Sequence, residues 1–123
     1  MKPAPAEIYK LTRLESAPPL KLVVLMYDGA LLCIGQAKAA LDGGDLRTFH
    51  ERCLRAQSIV SELRLALDPA HAPELVEQLE ALYLFSEAQI RKAILEATSE
   101  PLESVERTMS TLLEGWSQIE VAP

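Results

Sequence analysis

The chain has 123 residues, of which 49% are hydrophobic, and its formal net charge is -6. This length and apolar content suit one folded domain and exclude disorder as the overall state. The acidic balance, with no block of basic residues, argues against nucleic acid or an anionic membrane surface as a partner. The N-terminus lacks the apolar core of a signal peptide, and we expect a soluble cytoplasmic protein.

The first fifteen residues, 1–15, are mixed in character. We expect them to form a flexible N-terminal segment that can act as a cap, separate from a helical bundle domain at 16–123. A long first helix is predicted to begin after Ser16, because a hydroxyl can cap free N–H groups and the prolines that follow, Pro18 and Pro19, are tolerated in a first turn. At 1.5 Å per residue it is about 36 Å long.

This first helix is apolar on nearly all sides from Leu22 to Ile34. One stripe at helical spacing contains Leu22, Leu25, Met26, Cys33 and Ala37, and a second beside it contains Val23, Val24, Tyr27, Leu31 and Ile34. An ordinary surface helix has a single apolar stripe about 100° wide. We therefore expect neighbouring helices to cover one side, and a folded-back terminus or a partner to cover the rest.

Three more helices are predicted at about 46–67, 72–97 and 101–120. Glycines at 43–44 suit the turn after the first helix, and Asp45 can cap the second. Each later helix has one inward apolar stripe, which in the third includes Leu75, Leu82 and the small polar Ser86. Four long helices with short connections predict an all-α, antiparallel up-down-up-down four-helix bundle with a short N-terminal segment.

Few side chains suit catalysis or metal binding. Two cysteines, Cys33 and Cys53, and two histidines, His50 and His71, are a poor ligand set for zinc, and neither histidine follows a glutamate by three residues as in di-iron bundles. The cysteines lie about equally far from the turn near residue 43, so we expect two buried free thiols at one level of the bundle. We expect no enzymatic activity, cofactor or metal.

Two alternatives from other functional classes remain. A phosphotransfer-type helical bundle would use His50 as the phosphoryl acceptor, although Glu51 and Arg52 follow it where such domains carry a Lys-Gly pair. The other alternative is a generic helical adaptor that dimerises through the spare apolar face of the first helix.

The order of several short motifs resembles the flagellar secretion chaperone FliS family. The motifs are LVVLMYDGA at 22–30, Gln36-Ala37-Lys38, Gly44-Asp45, AQSIVSEL at 56–63, Leu82-Tyr83 and Trp116. Together they cover about 16–119. The chain departs from the family in Ser16-Ala17-Pro18-Pro19, where Thr-Ala-Ser-Pro is usual. It also departs in Leu84-Phe85-Ser86 and Ala88-Gln89, where the family has Asp-Tyr-Met and then arginines.

The resemblance implies a non-enzymatic antiparallel bundle that binds the disordered C-terminal region of flagellin. Such a chaperone prevents premature polymerisation and assists delivery to the flagellar type III secretion apparatus. The export apparatus, a co-chaperone and an anti-sigma factor are further partners that the resemblance suggests. Family members can also fold an N-terminal segment over the binding surface.

We assign the partner-binding residues by combining this resemblance with the two apolar sides of the first helix. The floor of the groove is predicted to be Val24, Tyr27, Leu31 and Ile34. Ile8 and Tyr9 are predicted to form a mobile cover over it. Leu84 and Phe85, which replace polar and aromatic family residues, are predicted to extend an apolar groove along the third helix.

Overall fold

The computed structural model describes residues 8–9, 19–70 and 72–121, without the side chains of 19 and 119–121. It contains four α-helices: α1 (Pro19–Asp42), α2 (Leu46–Leu65), α3 (Pro73–Glu96) and α4 (Glu100–Val121). Each helix packs against the next in sequence, and α4 packs against α1. Because the connections are short, consecutive helices run antiparallel, and the predicted four-helix bundle is confirmed. The predicted cap Ser16 and the loop residue His71 lie outside the described residues.

The helix ends follow local backbone chemistry. The Asp45 carboxylate accepts a hydrogen bond from the backbone N–H of Thr48 at 3.1 Å, which confirms it as the cap of α2. Gly44 before it has a φ of +78°, the left-handed conformation that the turn requires. Helix α3 ends at Ala97, also left-handed with a φ of +51°, a position where glycine is usual.

The core runs through the centre of the bundle and takes large apolar side chains from all four helices. The fully buried ones are Val23, Tyr27 and Ile34 from α1, Phe49, Val60 and Leu63 from α2, Tyr83 and Ile90 from α3, and Leu102, Val105 and Met109 from α4. Burying each such side chain contributes about 1.5–3 kcal/mol. Cys33 and Cys53 are both buried and form no disulfide, as predicted.

Helix α3 differs in part from its predicted stripe. Leu75 and Leu82, predicted to face inward, are 36% and 37% exposed, so their assignment to the core is wrong. They lie at the edge of the stripe, where the core residues Leu79 and Tyr83 already fill the interior. Glu87, a charged residue beside Ser86, is buried instead.

Helix α1 is long and apolar enough to cross a membrane by composition alone. The stretch Leu20–Asp42 contains an 18-residue window of mean hydropathy 1.5. A core helix of a bundle passes the same test, and five α1 side chains are completely buried: Val23, Tyr27, Ala30, Ile34 and Ala37. Packing within the bundle therefore accounts for the apolar residues on the buried face of α1.

Candidate functional site

Ile8 and Tyr9 are docked against the connection between α2 and α3. The backbone N–H of Asp68 donates a hydrogen bond to the carbonyl oxygen of Ile8 at 2.5 Å. Tyr9 and Leu67 form an isolated antiparallel β-bridge. Ile8 is fully buried and Tyr9 is 4% exposed. The pair therefore binds the bundle by one backbone hydrogen bond, one bridge and two inserted side chains.

The Tyr9 side chain ends in a cluster of buried hydroxyl groups. The hydroxyl of Tyr83 is hydrogen-bonded to the hydroxyls of both Tyr9 and Tyr27. The rings of Tyr27 and Tyr83 meet edge to face, with centroids 6.4 Å apart. Burial raises the pKa of all three tyrosines above the usual value, so the cluster stays protonated and neutral.

Trp116 completes this cluster from α4. Its indole N–H is buried and has no partner that meets hydrogen-bond geometry among the described residues. The same indole lies close enough to the Tyr27 hydroxyl to oppose part of the rise in the pKa of Tyr27. The contact is therefore a polar approach rather than a full hydrogen bond.

The four residues predicted as a groove floor on α1 divide into two pairs. Tyr27 and Ile34, seven residues apart, are fully buried in the core. Val24 and Leu31, also seven residues apart, are half-buried and pack against the edge of the core. The predicted cover of Tyr27 is formed by Ile8 and Tyr9. In the structure the Tyr27 hydroxyl lies beside the hydroxyls of Tyr83 and Tyr9.

Helical spacing places Val24 and Leu31 on the side of α1 that faces α4. Lys38, seven residues after Leu31 and on the same helical ridge, pairs with Glu106 of α4 at 3.2 Å. Leu31 is seven residues before Lys38 on α1, and Leu113 is seven residues after Glu106 on α4. Because the two helices run antiparallel, Leu31 and Leu113 lie at the same level, and Leu113 is also half-buried. We call this the α1–α4 groove: Val24, Leu31 and Leu113, bounded by the Lys38–Glu106 pair.

A second groove runs between α3 and α4. It contains a cleft of about 300 Å³ lined by Leu82, Arg107, Thr108, Thr111 and Leu112. Phe85, three residues after Leu82 on the same face, is 45% exposed. We call Leu82, Phe85 and Leu112, with the threonines beside them, the α3–α4 groove. Leu84 is 48% exposed but lies about 200° around the helix from Leu82, so it faces elsewhere.

The outer face of α1 also exposes large apolar side chains. Leu25 and Leu32, seven residues apart, are 53% and 62% exposed. Leu25 belongs to the first predicted stripe, whereas Leu32 was in neither stripe. The excess of apolar surface expected on α1 is thus present, but on the solvent-facing side rather than around Tyr27.

A buried ion pair between α2 and α3 escaped the sequence analysis. Arg64 Nε donates to the carboxylate of Glu87 at 2.6 Å, and the Glu87 side chain is only 6% exposed. Hydrogen bonding to this carboxylate raises the pKa of Arg64. The two residues are 23 positions apart on different helices, so no local sequence pattern indicates the pair.

No cluster of metal ligands is found in the part of the chain that the structure describes. Within residues 8–9, 19–70 and 72–121, no three His, Cys, Asp or Glu side chains are grouped so as to hold a metal ion. His50 is exposed on α2, and its ring lies against that of Phe49, with centroids 5.6 Å apart.

Comparison with known proteins connects this geometry to a family. The family model described as "Flagellar protein FliS" matches residues 1–123. The chain is 28% identical to the flagellar secretion chaperone FliS of Salmonella typhimurium over 93% of this chain and 85% of the relative. It is 29% identical to the Vibrio cholerae chaperone over 88% and 79%, and 25% identical to that of Bacillus subtilis over 93% and 84%. These relatives are chaperones and not enzymes. Since the match spans the whole chain and the structure is a helical bundle, the protein belongs to the FliS family of flagellar secretion chaperones.

Proposed function

We propose that this protein is a cytoplasmic export chaperone that binds the disordered C-terminal region of flagellin. In this proposal it prevents premature polymerisation of flagellin and assists its delivery to the flagellar type III secretion apparatus. Family membership supports the class of client. The observation that carries the proposal is the exposure of apolar side chains along the α3–α4 groove, where Leu82 and Phe85 are 37% and 45% exposed.

The grooves suit an amphipathic client segment. A helix that lays its apolar face into a groove uses anchors three, four and seven residues apart. The α1–α4 groove offers apolar side chains over two helical turns of α1, and the α3–α4 groove offers them over about one turn of α3. The rims carry both signs of charge, Lys38 and Glu106 beside one groove and Arg107 beside the other. A disordered client loses ordering entropy on binding, so we expect moderate affinity for the area that it buries.

The N-terminal cover is part of the same proposal. Ile8 and Tyr9 are fixed by one backbone hydrogen bond, one bridge and one hydroxyl contact. We propose that residues 1–15 act as a cap on the bundle of 16–123, and that a client displaces Ile8 and Tyr9. Tyr27 is buried in the free protein and would become accessible beside Tyr83 once Ile8 and Tyr9 leave. Tyr27 could then contact the client, as predicted, although the free protein has no open groove there.

Isothermal titration of the full chain with a peptide of the flagellin C-terminal region from the same genome tests the proposal. We expect saturable one-to-one binding and a negative heat-capacity change, because apolar surface is buried. A peptide of the same composition in scrambled order is the control. Equal binding of the two peptides, or no binding of either, contradicts the assignment of flagellin as the client.

A further inference from the structure

The face of the bundle formed by α2 and α3 exposes four leucines in two matched pairs. Leu54 and Leu65 on α2 are 58% and 70% exposed, and Leu84 and Leu95 on α3 are 48% and 85% exposed. On each helix the two leucines are eleven residues apart, about three helical turns, so both face the same way. We infer that these four leucines, the α2–α3 face, bind a second copy of this chain in an antiparallel two-fold dimer.

The ion pair of Arg64 and Glu87 shows which way the leucines point. It lies between α2 and α3 and marks the side on which the two helices meet. The α2 leucines lie about 80–100° around their helix from Arg64, and the α3 leucines about 60–80° around theirs from Glu87. In both helices this displacement is away from the core. The four leucines therefore lie side by side on the solvent side of the line where α2 and α3 meet.

The leucines also lie at two common levels along the bundle. Leu65 follows Arg64 by one residue, and Leu84 precedes Glu87 by three. Because the helices run antiparallel, both steps lead towards the α2–α3 connection, and Leu65 and Leu84 lie at about the same level. Their partners eleven residues away share a second level, about 16 Å from the first. The apolar part of the face thus repeats itself along the bundle.

Charged residues divide the α2–α3 face into a basic half and an acidic half. Arg47 and Arg91 are exposed on the half far from the α2–α3 connection, and Glu77 and Glu80 are exposed on the half next to it. Each of these side chains lies within about 40° of a leucine on its own helix, so all four belong to this face.

This pattern is complementary to itself in one orientation. A two-fold axis that lies in the plane of the face, across its middle and perpendicular to the helices, brings each leucine pair onto the other pair of the second copy. The same axis places the basic half of one copy over the acidic half of the other. A parallel arrangement would instead bring like charges together, which is unfavourable.

The interface is separate from the α1–α4 groove proposed for the client. The helices pack in the cyclic order α1, α2, α3, α4, so the α2–α3 face lies on the side of the bundle opposite that groove. The dimer therefore leaves the α1–α4 groove open and does not depend on flagellin as the client. It also assigns a contact to Leu84, which faces away from the α3–α4 groove.

Sedimentation velocity of the full chain from about 1 to 200 μM tests the inference, since small interfaces associate in this range. The mass should rise reversibly from 13.6 kDa to twice that value and no further. Leu54→Ser with Leu95→Ser should raise the dissociation constant at least about 10-fold. The matched control is Leu25→Ser with Leu32→Ser, which removes two exposed leucines from the outer face of α1 and should dimerise like the parent.

Two charge-reversed variants test the antiparallel orientation. Glu77→Lys with Glu80→Lys makes both halves of the face basic, and Arg47→Glu with Arg91→Glu makes both halves acidic. Each variant alone should be monomeric at concentrations that give dimers of the parent. An equimolar mixture should recover the dimer, because each copy then complements the other at both halves. Circular dichroism verifies that every variant is folded.

Several outcomes would overturn the inference. They are a parent chain that stays monomeric, equal weakening by the α1 control, dimers of the charge-reversed variants alone, and a mixture that stays monomeric. Species that keep growing with concentration would indicate an open head-to-tail contact and overturn it too. If the parent is monomeric and Leu54→Ser with Leu95→Ser weakens flagellin binding, the face belongs to the client. A dimer that binds no flagellin peptide would contradict the proposed function alone.

Discussion

The hydroxyl of Tyr9 is hydrogen-bonded to the hydroxyl of Tyr83, 74 positions later in the chain. This contact joins the N-terminal cover to the centre of the bundle. We expect Tyr9→Phe to lower the free energy of unfolding by about 1 kcal/mol, the net value of one such hydrogen bond. The same change should raise the affinity for the flagellin peptide several-fold, because a weaker cover is displaced at lower cost.

Chemical denaturation and titration calorimetry measure the two effects of Tyr9→Phe. Tyr27→Phe is the matched control, since it removes a hydroxyl from the same cluster but leaves the cover bonded to Tyr83. It should lose similar stability without a gain in affinity. Unchanged or weaker client binding by Tyr9→Phe would show that the cover does not compete with the client.

Exposed apolar residues of the α3–α4 groove should contribute to client binding without contributing much to stability. Phe85→Ser removes a ring that is 45% exposed, and we expect at least a 5-fold loss of affinity for the flagellin peptide. The melting temperature should change by only a few degrees, because little core packing is lost. Leu95→Ser, at a site 85% exposed on the same helix, is the control and should bind normally. Equal affinity of the two variants would place the client elsewhere.

Gly29 lies inside α1, within the YDGA motif that carries part of the family resemblance. A methyl group at this position would meet the Ile59 side chain at 3.5 Å, an ordinary contact. Close approach of the helices therefore does not require glycine here. We expect Gly29→Ala to raise the free energy of unfolding by about 0.5–1 kcal/mol, because glycine is unfavourable within a helix.

Gly35→Ala is the matched comparison for Gly29→Ala, since an added methyl group there has no neighbour within 4 Å. Thermal unfolding of both variants should show similar gains. A clear loss of stability in Gly29→Ala alone would mean that the α1–α2 contact is tighter than the structure indicates. If Gly29→Ala is stable but binds the flagellin peptide poorly, the glycine serves the client rather than the fold.

Removal of one partner of the buried Arg64–Glu87 pair should destabilise the folded protein strongly. We expect Arg64→Met to lower the free energy of unfolding by about 3 kcal/mol, because the Glu87 carboxylate is left buried without its counter-charge. Arg91→Met, an exposed arginine on α3, is the control and should cost less than about 0.5 kcal/mol. Adding Glu87→Leu to Arg64→Met should recover most of the loss in urea denaturation. If it does not, the damage comes from packing of the arginine stem.

Cys53 should react slowly in the folded protein. Burial raises the pKa of its thiol from the usual 9.0 to about 11. At pH 8 the reactive thiolate is then about 100-fold scarcer than in an exposed cysteine. A maleimide or disulfide reagent should label the folded Cys33→Ala variant slowly and the same variant quickly in denaturant. Fast labelling of the folded form would contradict the burial of Cys53.

The same shift has a consequence for stability at high pH. The native state holds the Cys53 proton more tightly than the unfolded state, so its contribution is complete below about pH 9 and falls as the pH rises towards 11. The buried tyrosines, whose pKa values are also raised, act in the same direction. Melting temperatures should therefore decline from about pH 9 upwards, and less steeply in Cys53→Ala. A flat profile to pH 11 would contradict both shifts.

Sequence periodicity predicted the helices well but could not place side chains around them. The four helices, the Asp45 cap and the buried thiols follow from local patterns, since spacing and capping are local properties. Tyr27 and Ile34 are fully buried, whereas Val24 and Leu31 are only half-buried. This difference depends on which neighbour each side chain meets, and no local pattern contains that information. The Arg64–Glu87 pair and the exposure of Leu82 depend on tertiary packing for the same reason.

Trp116 is the only tryptophan of the chain, and it lies in the buried cluster with Tyr27 and Tyr83. Its emission is therefore an intrinsic optical reporter of that cluster. Departure of Tyr9 would admit water close to the indole and shift the Trp116 emission maximum to longer wavelength. An apolar client side chain in its place would keep the emission at shorter wavelength. The proposed displacement of Ile8 and Tyr9 by a client can thus be followed in real time by tryptophan emission, without attaching a dye to the protein or to the client.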